Sequence, residues 1–374
     1  MSGLALSNFH RLVVKVGSSL LVDDQGQLNR EWLAGLGDDI ANLNRQGHEV
    51  LVVSSGAIAI GRSILGINIR RARLADLQAA AAAGQVQLVH AYQEALARHG
   101  ITAAQILLTL DDTENRRRFL NARGTLAKLL ERSVVPIINE NDTVATEEIR
   151  YGDNDRLAAR IAQLVMADAL ILLSDVDGFY TADPTADATA RHIPAVSKIT
   201  KEMLAMAGAT RSEVGTGGMA TKLQAARIAT QAGCSTVIAS GVIQRPLQAL
   251  GAGSRCTVFD AVDTPAAARK QWLAGVLDVK GELRLDDGAV RALRGGSSLL
   301  PVGVVAVAGK FRRGDVVKLI DASGAEIGRG LAEYPDDEAL QLVGCQSDKI
   351  EETLGYCGRT VMVHVNELVL FDND

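Results

Sequence analysis

The chain has 374 residues, of which 47% are hydrophobic and only 3% aromatic, and its formal net charge is −5 at pH 7. Two domains are the first expectation for this length, three would also fit, and the core must consist mainly of Ala, Val, Leu and Ile, as in α/β proteins with a parallel sheet. The small negative charge argues against a protein that binds nucleic acid or an anionic membrane through bulk electrostatics.

Short apolar runs alternate with helical patterns over the first two thirds of the chain. Strands are predicted, in chain order, at "RLVVKV", "HEVLVVS", "AAQILL", "VVPIIN", "ALILLS", "STVIAS" and "CTVFDA". Helices are predicted at 30–46, in the Ala- and Leu-rich region up to residue 98, and at 116–131, 154–165 and 219–232. This alternation, with strands that are apolar throughout, predicts an α/β fold: an αβα sandwich with a mainly parallel central sheet covered on both faces.

Near residue 262 the pattern changes. The stretch "VDTPAAARKQWLAG" is typical of a connector, and short strands with turn signals follow it. Two helical segments are predicted there, at "DDGAVRALRGG" and "DDEALQLVG". The sequence therefore predicts an α/β domain over residues 1–262, a linker over 263–277 and a small β-rich domain over 278–374.

Polar clusters stand at the ends of four predicted strands. They are "KVGSS", "SSGA", "NENDT" and "SDVDG". In an open parallel sheet, ligands bind beyond the carboxyl ends of the strands. We therefore expect these four clusters to form one site.

Lys15 lies inside the first apolar strand, in "VVKVGSS". A lysine in an apolar strand is costly unless it is paired or functional. It either reaches a ligand at the end of the strand or extends its charged end to water at a sheet edge. The first strand of a doubly wound sheet is usually central, which favours the functional interpretation.

The stretch "GTGGMATK", Gly215 to Lys222, is a glycine run that ends on a lysine, with a helical pattern after it. A P-loop requires Gly-Lys-[Ser/Thr] after a strand, whereas Thr221 precedes Lys222 here and no apolar strand comes before the loop. Glycines before a helix still offer N–H groups to an anion. By itself, the motif does not distinguish a phosphate-binding loop from a flexible turn.

The densest polar patch spans a predicted strand end and the start of the next helix. It contains Asn139, Asn141, Asp142, Asp153, Asn154 and Asp155. Helix capping accounts for Asp153. The other amide and carboxylate groups suit the ammonium and carboxylate of an amino acid.

Seven segments together carry a resemblance to a known family: "VVKVGSSLL", "VVSSGAIAIGR", "RRRFLNARGTL", "VPIINENDTVAT", "YGDNDRLAARIA", "LLSDVDGFYTADP" and "GTGGMATKLQAA". In this order and at these spacings they resemble the glutamate 5-kinase branch of the amino acid kinase family, nearly end to end. "INEND" with "GDND" is particular to that branch. The C-terminal "GSSLLPVGV" and "KFRRGDVV" resemble a PUA domain, a small β-rich barrel.

The resemblance implies that ATP, carrying Mg²⁺, phosphorylates the γ-carboxylate of L-glutamate to γ-glutamyl phosphate, the first step of proline synthesis. A carboxylate is already ionised at neutral pH, so the nucleophile needs no general base, which agrees with site motifs that contain no histidine. Two alternatives stay open. One is another activity of the same family, on aspartate or acetylglutamate, and the other is an RNA-binding protein that acts through its PUA domain.

The resemblance also implies roles for individual residues. Lys15 and Lys222 match the two lysines on the transferring phosphoryl group, and Asp155 matches the acidic residue that organises them. The implied glutamate-binding residues are Ser55, Asp142 and Asn154. The implied ATP-binding residues are Lys15, Ser174, Asp175, Thr216, Gly217, Gly218, Met219, Ala220, Thr221 and Lys222. No metal-ligating residue of the chain is predicted.

The C-terminal stretch 280–374 has 11 basic and 16 acidic residues, so the whole net charge of −5 lies there. An RNA-binding module is expected to have a basic stripe, so a structural or regulatory role is favoured and nucleic acid is not an expected partner. The resemblance further implies a homo-oligomer, a dimer or a tetramer, with proline as feedback inhibitor. Because an acyl phosphate is labile, hand-off of the product to γ-glutamyl phosphate reductase is also expected.

The N-terminal "MSGLALSNFHR" lacks the pattern of a signal peptide. The longest apolar runs, such as "ALILL", are far shorter than the ~20 residues that span a bilayer. We therefore expect a cytoplasmic protein with no membrane partner.

Overall fold

The structure is a computed structural model that describes residues 6–23, 25–144, 154–208 and 218–371. It divides into two compact units, residues 1–265 and 266–374. Each unit has a hydrophobic core and a sheet of its own. The predicted site residues all belong to the first unit.

The first unit alternates strands and helices along the chain. Its strands are β1 (Arg11–Val16), β2 (Glu49–Ser54), β3 (Ala103–Leu108), β4 (Val135–Glu140), β5 (Ala169–Ser174), β6 (Phe179–Tyr180), β7 (His192–Ile193), β8 (Ala195–Val196), β9 (Ser235–Ser240) and β10 (Cys256–Phe259). Its helices are α1 (Ser18–Leu21), α2 (Arg30–Arg45), α3 (Ala57–Leu65), α4 (Leu74–Ala97), α5 (Leu110–Glu114), α6 (Arg116–Glu131), α7 (Asn154–Val165), α8 (Lys201–Gly208), α9 (Met219–Gln231) and α10 (Pro246–Gly251). The predicted strands and helices are confirmed, with small shifts at their ends.

Eight strands form one sheet in the order β3-β4-β2-β1-β5-β9-β10-β8. The strands from β3 to β9 in this order pair in parallel, whereas β10 runs antiparallel to β9. The prediction of a mainly parallel sheet is confirmed. Val16 of β1 is in register with Ser54 of β2 and with Leu173 of β5, so the carboxyl ends of the three central strands are level.

Side-chain alternation along β1 divides the core into two layers. Leu12, Val14 and Val16 pack in the layer that contains residues of α2 and α4. Val13 packs on the opposite face, with residues of α6, α7 and α9. Both faces are covered, which confirms the predicted αβα sandwich. Because side chains alternate along a strand, Lys15 shares the face of Val13 and points toward the α7 and α9 layer.

Helices α3 and α4 pack backbone against backbone at two glycines. A Cβ atom at Gly61 would lie 1.7 Å from Ala80 O, and one at Gly84 would lie 1.9 Å from Ala57 O. Only glycine permits such an approach. The middle of α4 is therefore held close to the start of α3, which directly follows the carboxyl end of β2.

The second unit is β-rich, as predicted. Its strands are β11 (Gly281–Leu285), β12 (Val304–Gly309), β13 (Val316–Ile320), β14 (Glu326–Leu331) and β15 (Leu368–Leu370), and they form one sheet in the order β12-β11-β13-β14-β15. Its helices are α11 (Pro265–Gly275), α12 (Asp287–Arg294), α13 (Asp336–Gln341) and α14 (Ile350–Leu354). The two predicted helical segments correspond to α12 and α13, and most of the stretch predicted as a linker forms α11.

Across the described ranges of both units, no helix combines the length and the apolar character that crossing a membrane requires.

Candidate active site

Asp155, in the first turn of α7, links two lysines at the carboxyl end of the sheet. Its Oδ1 lies 2.7 Å from Lys15 Nζ, and its Oδ2 lies 3.5 Å from Lys222 Nζ. The hydroxyl of Thr221 donates to Oδ2 at 2.8 Å. Asp155 is 0% exposed, Lys15 7% and Lys222 5%. The structure thus brings together the three residues that were predicted to be catalytic, from β1, α7 and α9.

The electrostatics of this group favour a charged carboxylate. Burial by itself would raise the pKa of Asp155, but the positive charges of Lys15 and Lys222 outweigh burial and lower that pKa from its ordinary value. Burial lowers the pKa of Lys222, and Lys15 lowers it further, whereas Asp155 and the exposed Asp175 act in the opposite direction. The buried group thus contains two lysines and one carboxylate, and buried charges are stable only when they are paired.

The predicted nucleotide-binding residues lie at the end of β5 and the start of α9. Ser174 ends β5, and its hydroxyl donates to Asp175 Oδ1 at 2.8 Å. Gly218 precedes α9, and Met219, Ala220, Thr221 and Lys222 form its first turn. Thr216 and Gly217 lie outside the described residues.

The backbone at Gly218 does not itself require glycine. Its φ is −73°, and among the described residues a Cβ atom there would meet no atom of another part of the chain within 4 Å. Close approach of a ligand to the backbone is a further reason for a glycine. The start of the helix that follows is suited to an anion, because backbone N–H groups point out of a helix N-terminus.

Asn154 opens α7 and lies against the end of β2. Its Nδ2 donates to Ser54 O at 3.2 Å, to Ser55 Oγ at 2.8 Å and to Asn139 Oδ1 at 3.2 Å. Two of the predicted substrate residues, Ser55 and Asn154, are therefore in direct contact. This amide cluster adjoins the group centred on Asp155, because Asn154 directly precedes Asp155 in α7.

Asp142 lies in the turn after β4 and is half-buried. Burial raises its pKa to about 6. Its carboxylate is therefore close to its titration range near neutral pH. Asp153, which was expected to cap α7, lies outside the described residues.

Two further polar residues belong to the same cluster: Asn139, which is part of the polar patch predicted from the sequence, and Gln85, which was not assigned a site role. Asn139 Nδ2 donates to Gln85 Oε1 at 2.8 Å, and Gln85, in the middle of α4, is buried. A signal for Gln85 is present in the sequence: it shares a helical spacing with Leu88 and Tyr92, so it falls on the face that packs inward. Only the fold shows that β4 lies opposite this face.

A metal site formed by the protein alone is not found among the residues that the structure describes: no three His, Cys, Asp or Glu side chains are grouped as they would be to hold a metal ion.

Comparison with known proteins adds a family to this geometry. The amino acid kinase family model matches residues 10–240, and the PUA domain model matches residues 281–354. The chain is 56% identical over 366 residues to "Glutamate 5-kinase 1" of Rhizobium meliloti (strain 1021), covering 98% of this chain and 93% of that protein. It is 55% identical over 359 residues to "Glutamate 5-kinase" of Rhodospirillum rubrum, covering 96% of each. It is also 55% identical over 371 residues to "Glutamate 5-kinase" of Paramagnetospirillum magneticum (strain AMB-1), covering 99% of this chain and 100% of that protein.

Proposed function

The chain belongs to the amino acid kinase family and is a kinase, and we propose that it transfers the γ-phosphoryl group of ATP to the γ-carboxylate of L-glutamate. The observation that carries this proposal is the buried Lys15–Asp155–Lys222 group, in which two lysines flank one carboxylate and which continues into an amide cluster. The name shared by the relatives favours glutamate over aspartate or acetylglutamate. The product, γ-glutamyl phosphate, is the first intermediate of proline synthesis.

Phosphoryl transfer to a carboxylate requires positive charge and correct positioning of the two reactants, and it does not require a general base. The attacking carboxylate is already ionised at neutral pH, so the barrier lies in bringing one anion to another. Lys15 and Lys222 offset that repulsion from opposite sides of Asp155. Since the pKa of Asp155 is lowered, this carboxylate is a poor proton acceptor and acts by holding the two ammonium groups in place.

The nucleotide end of the site consists of Ser174, Asp175 and the start of α9. The N–H groups at the start of α9 and the ammonium groups of the two lysines fit the phosphates of ATP. Magnesium carried by ATP would supply further positive charge. The role proposed for Ser174, Asp175 and the start of α9 is to orient the nucleotide, while Asp155 keeps the two lysines directed at its terminal phosphate.

The substrate end consists of Ser55, Asp142 and Asn154. Asn154 Oδ1 is buried and has no hydrogen-bond partner among the described residues, so it is an acceptor available to the ammonium group of an amino acid. The carboxylate of Asp142 supplies the negative charge that an ammonium group prefers.

ATP-dependent formation of a hydroxamate in the presence of hydroxylamine tests the function directly, because hydroxylamine traps acyl phosphates. L-glutamate, aspartate and N-acetylglutamate are compared at equal concentrations, with ATP omitted as the control. We expect product with glutamate and far less with the other two. Absence of product with glutamate would overturn the proposal, and product with aspartate or N-acetylglutamate alone would assign another activity of the family.

Several features stay predictions from the sequence resemblance. They are the dimeric or tetrameric state, inhibition by proline, hand-off to a reductase and the cytoplasmic location. For the PUA domain we propose a structural or regulatory role, because the stretch 280–374 carries the net charge of −5 and RNA binding favours a basic surface.

The raised pKa of Asp142 predicts a pH dependence of glutamate binding. Above about pH 6 the side chain is a carboxylate, and below it the side chain becomes protonated and loses its attraction for an ammonium group. We therefore expect the KM for glutamate to rise as pH falls through about 6, approaching about tenfold per pH unit. Initial rates at saturating ATP, measured between about pH 5 and pH 8, give this profile.

The control is Asp142→Asn, which cannot titrate in this range. Its KM for glutamate is expected to be high and nearly constant over the same pH values, while its KM for ATP follows that of the unmodified protein. A KM for glutamate that stays flat in the unmodified protein would contradict the role of Asp142.

A further inference from the structure

The amide cluster at the substrate end has a hydrogen-bonding direction that the backbone sets. The N–H of Glu140 can only donate, and it donates to Asn139 Oδ1 at 2.9 Å. The other end of this amide, Asn139 Nδ2, must therefore find an acceptor, which is Gln85 Oε1 at 2.8 Å. On the opposite side, Ser54 O can only accept, and it accepts from Asn154 Nδ2 at 3.2 Å. The amides of Asn139 and Asn154 are thus oriented by backbone groups, and the amide of Gln85 is oriented through Asn139.

This direction decides which atoms are left over at the ends of the network. They are Asn154 Oδ1, an acceptor, and Gln85 Nε2, a donor, and both are buried without a hydrogen-bond partner among the described residues. Leaving a buried polar atom unpaired is costly for the fold. A ligand that donates to Asn154 Oδ1 removes part of that cost. The network therefore keeps an acceptor ready at the proposed position of the substrate ammonium.

Helix packing holds Gln85 rigidly in this network. The preceding residue, Gly84, lies so close to Ala57 that a Cβ atom would approach Ala57 O to 1.9 Å. Two turns further along α4, the hydroxyl of the buried Tyr92 bonds Ser54 Oγ at 3.0 Å. The face of α4 that presents Gln85 is therefore fixed at one end against the start of α3 and at the other against the last residue of β2.

We propose that Gln85 is a positioning residue for the amino acid substrate. Its Oε1 holds the amide of Asn139, and Asn139 in turn holds Asn154 so that Oδ1 faces the substrate ammonium. Gln85 acts only through Asn139 and takes no part in phosphoryl transfer. The proposal rests on the proposed function, since it concerns the substrate of the same site.

The test begins with Gln85→Met, which keeps the length of the side chain and removes its acceptor. We expect the KM for glutamate to rise about tenfold, with kcat and the KM for ATP within about twofold of the unmodified protein. The matched control is Gln87→Met, because Gln87 is exposed on the same helix. Thermal unfolding of each variant shows whether the fold is retained. A KM for glutamate that stays unchanged in folded Gln85→Met would overturn the proposal.

A double-mutant cycle with Asn139→Ala shows whether Gln85 acts through Asn139. In the Asn139→Ala background, Gln85→Met is expected to change the KM for glutamate by less than about twofold, because the relay is already broken. Independent, additive effects would refute the relay. The cycle uses ratios within each background, so a general loss of stability cannot imitate the expected coupling.

The variant Gln85→Glu provides a second test, since a carboxyl oxygen can still accept from Asn139 Nδ2. Its KM for glutamate is expected to stay within about threefold of the unmodified value, and a KM as high as that of Gln85→Met would count against the proposal. If the unmodified protein forms no acyl phosphate from glutamate, the proposed function fails. If it does and Gln85→Met behaves like it, only the role of Gln85 fails.

Discussion

Replacing Lys222 by alanine is expected to lower kcat by about 10²–10³-fold, with a much smaller change in the KM for glutamate. The ammonium group lies 3.5 Å from Asp155 Oδ2 and is buried, so its charge acts in a medium that screens it poorly. Without it, Lys15 and Asp155 form a neutral pair that no longer offsets the charge of the transferring phosphoryl group. Steady-state kinetics in both substrates measure the change.

The matched control is Arg227→Ala, which removes an exposed cation from the same helix α9. Its kcat is expected to stay close to that of the unmodified protein, because an exposed charge at this distance along the helix is screened by water. If Lys222→Ala keeps a kcat near that of the control, Lys222 does not stabilise the transferring group.

The second large effect is expected from Asp155→Asn, which removes the carboxylate between two buried lysines. We expect kcat to fall by at least about 10²-fold and the free energy of unfolding to fall by about 3–5 kcal/mol, because removing one partner leaves buried charges uncompensated. The charge of Asp155 raises the pKa of Lys222 against the effect of burial. Without that charge the pKa of Lys222 falls further. As pH rises, the variant should therefore lose its residual activity at a lower pH than the unmodified protein loses its activity.

The free energy of unfolding of the unmodified protein is expected to depend on pH at the acidic end of the range. Because the pKa of Asp155 is lowered in the folded state from its ordinary value of 3.8, its carboxylate stabilises the fold above the unfolded-state pKa, and this contribution is lost as pH falls through the folded-state pKa. Asp155→Asn lacks this dependence. Denaturant unfolding at several acidic pH values therefore separates the variant from the unmodified protein.

Asp39→Asn is a suitable control for the loss of a buried carboxylate. Asp39 is 2% exposed, pairs with Arg245 at 3.2 Å and belongs to α2, on the other face of the sheet. Its replacement is expected to lower stability while leaving kcat and the pH profile of the remaining folded enzyme unchanged. Equal losses of kcat in both variants would indicate that Asp155 acts only on stability.

The periodicity of the sequence was sufficient to predict the helix and strand layers of the first unit. Apolar runs without alternation predicted strands buried on both faces, and helical spacing predicted α2, α6, α7 and α9 close to their observed ends. Periodicity did not predict the strands between residues 176 and 200, because β6, β7 and β8 have only two residues each. Two residues are too few to show a period.

The sequence by itself determined the local features of the site: a lysine in a buried strand, polar residues at strand ends and a glycine run before a helix. Only the tertiary structure decided which of these side chains meet. The contacts of Asp155 with Lys15 and Lys222, and of Asn139 with Gln85, join elements that are far apart along the chain. Such contacts depend on strand order and on the close packing of α3 and α4, and no local pattern records either. Gln85 shows this most clearly, because its spacing predicts burial whereas its role follows from the strand that lies opposite.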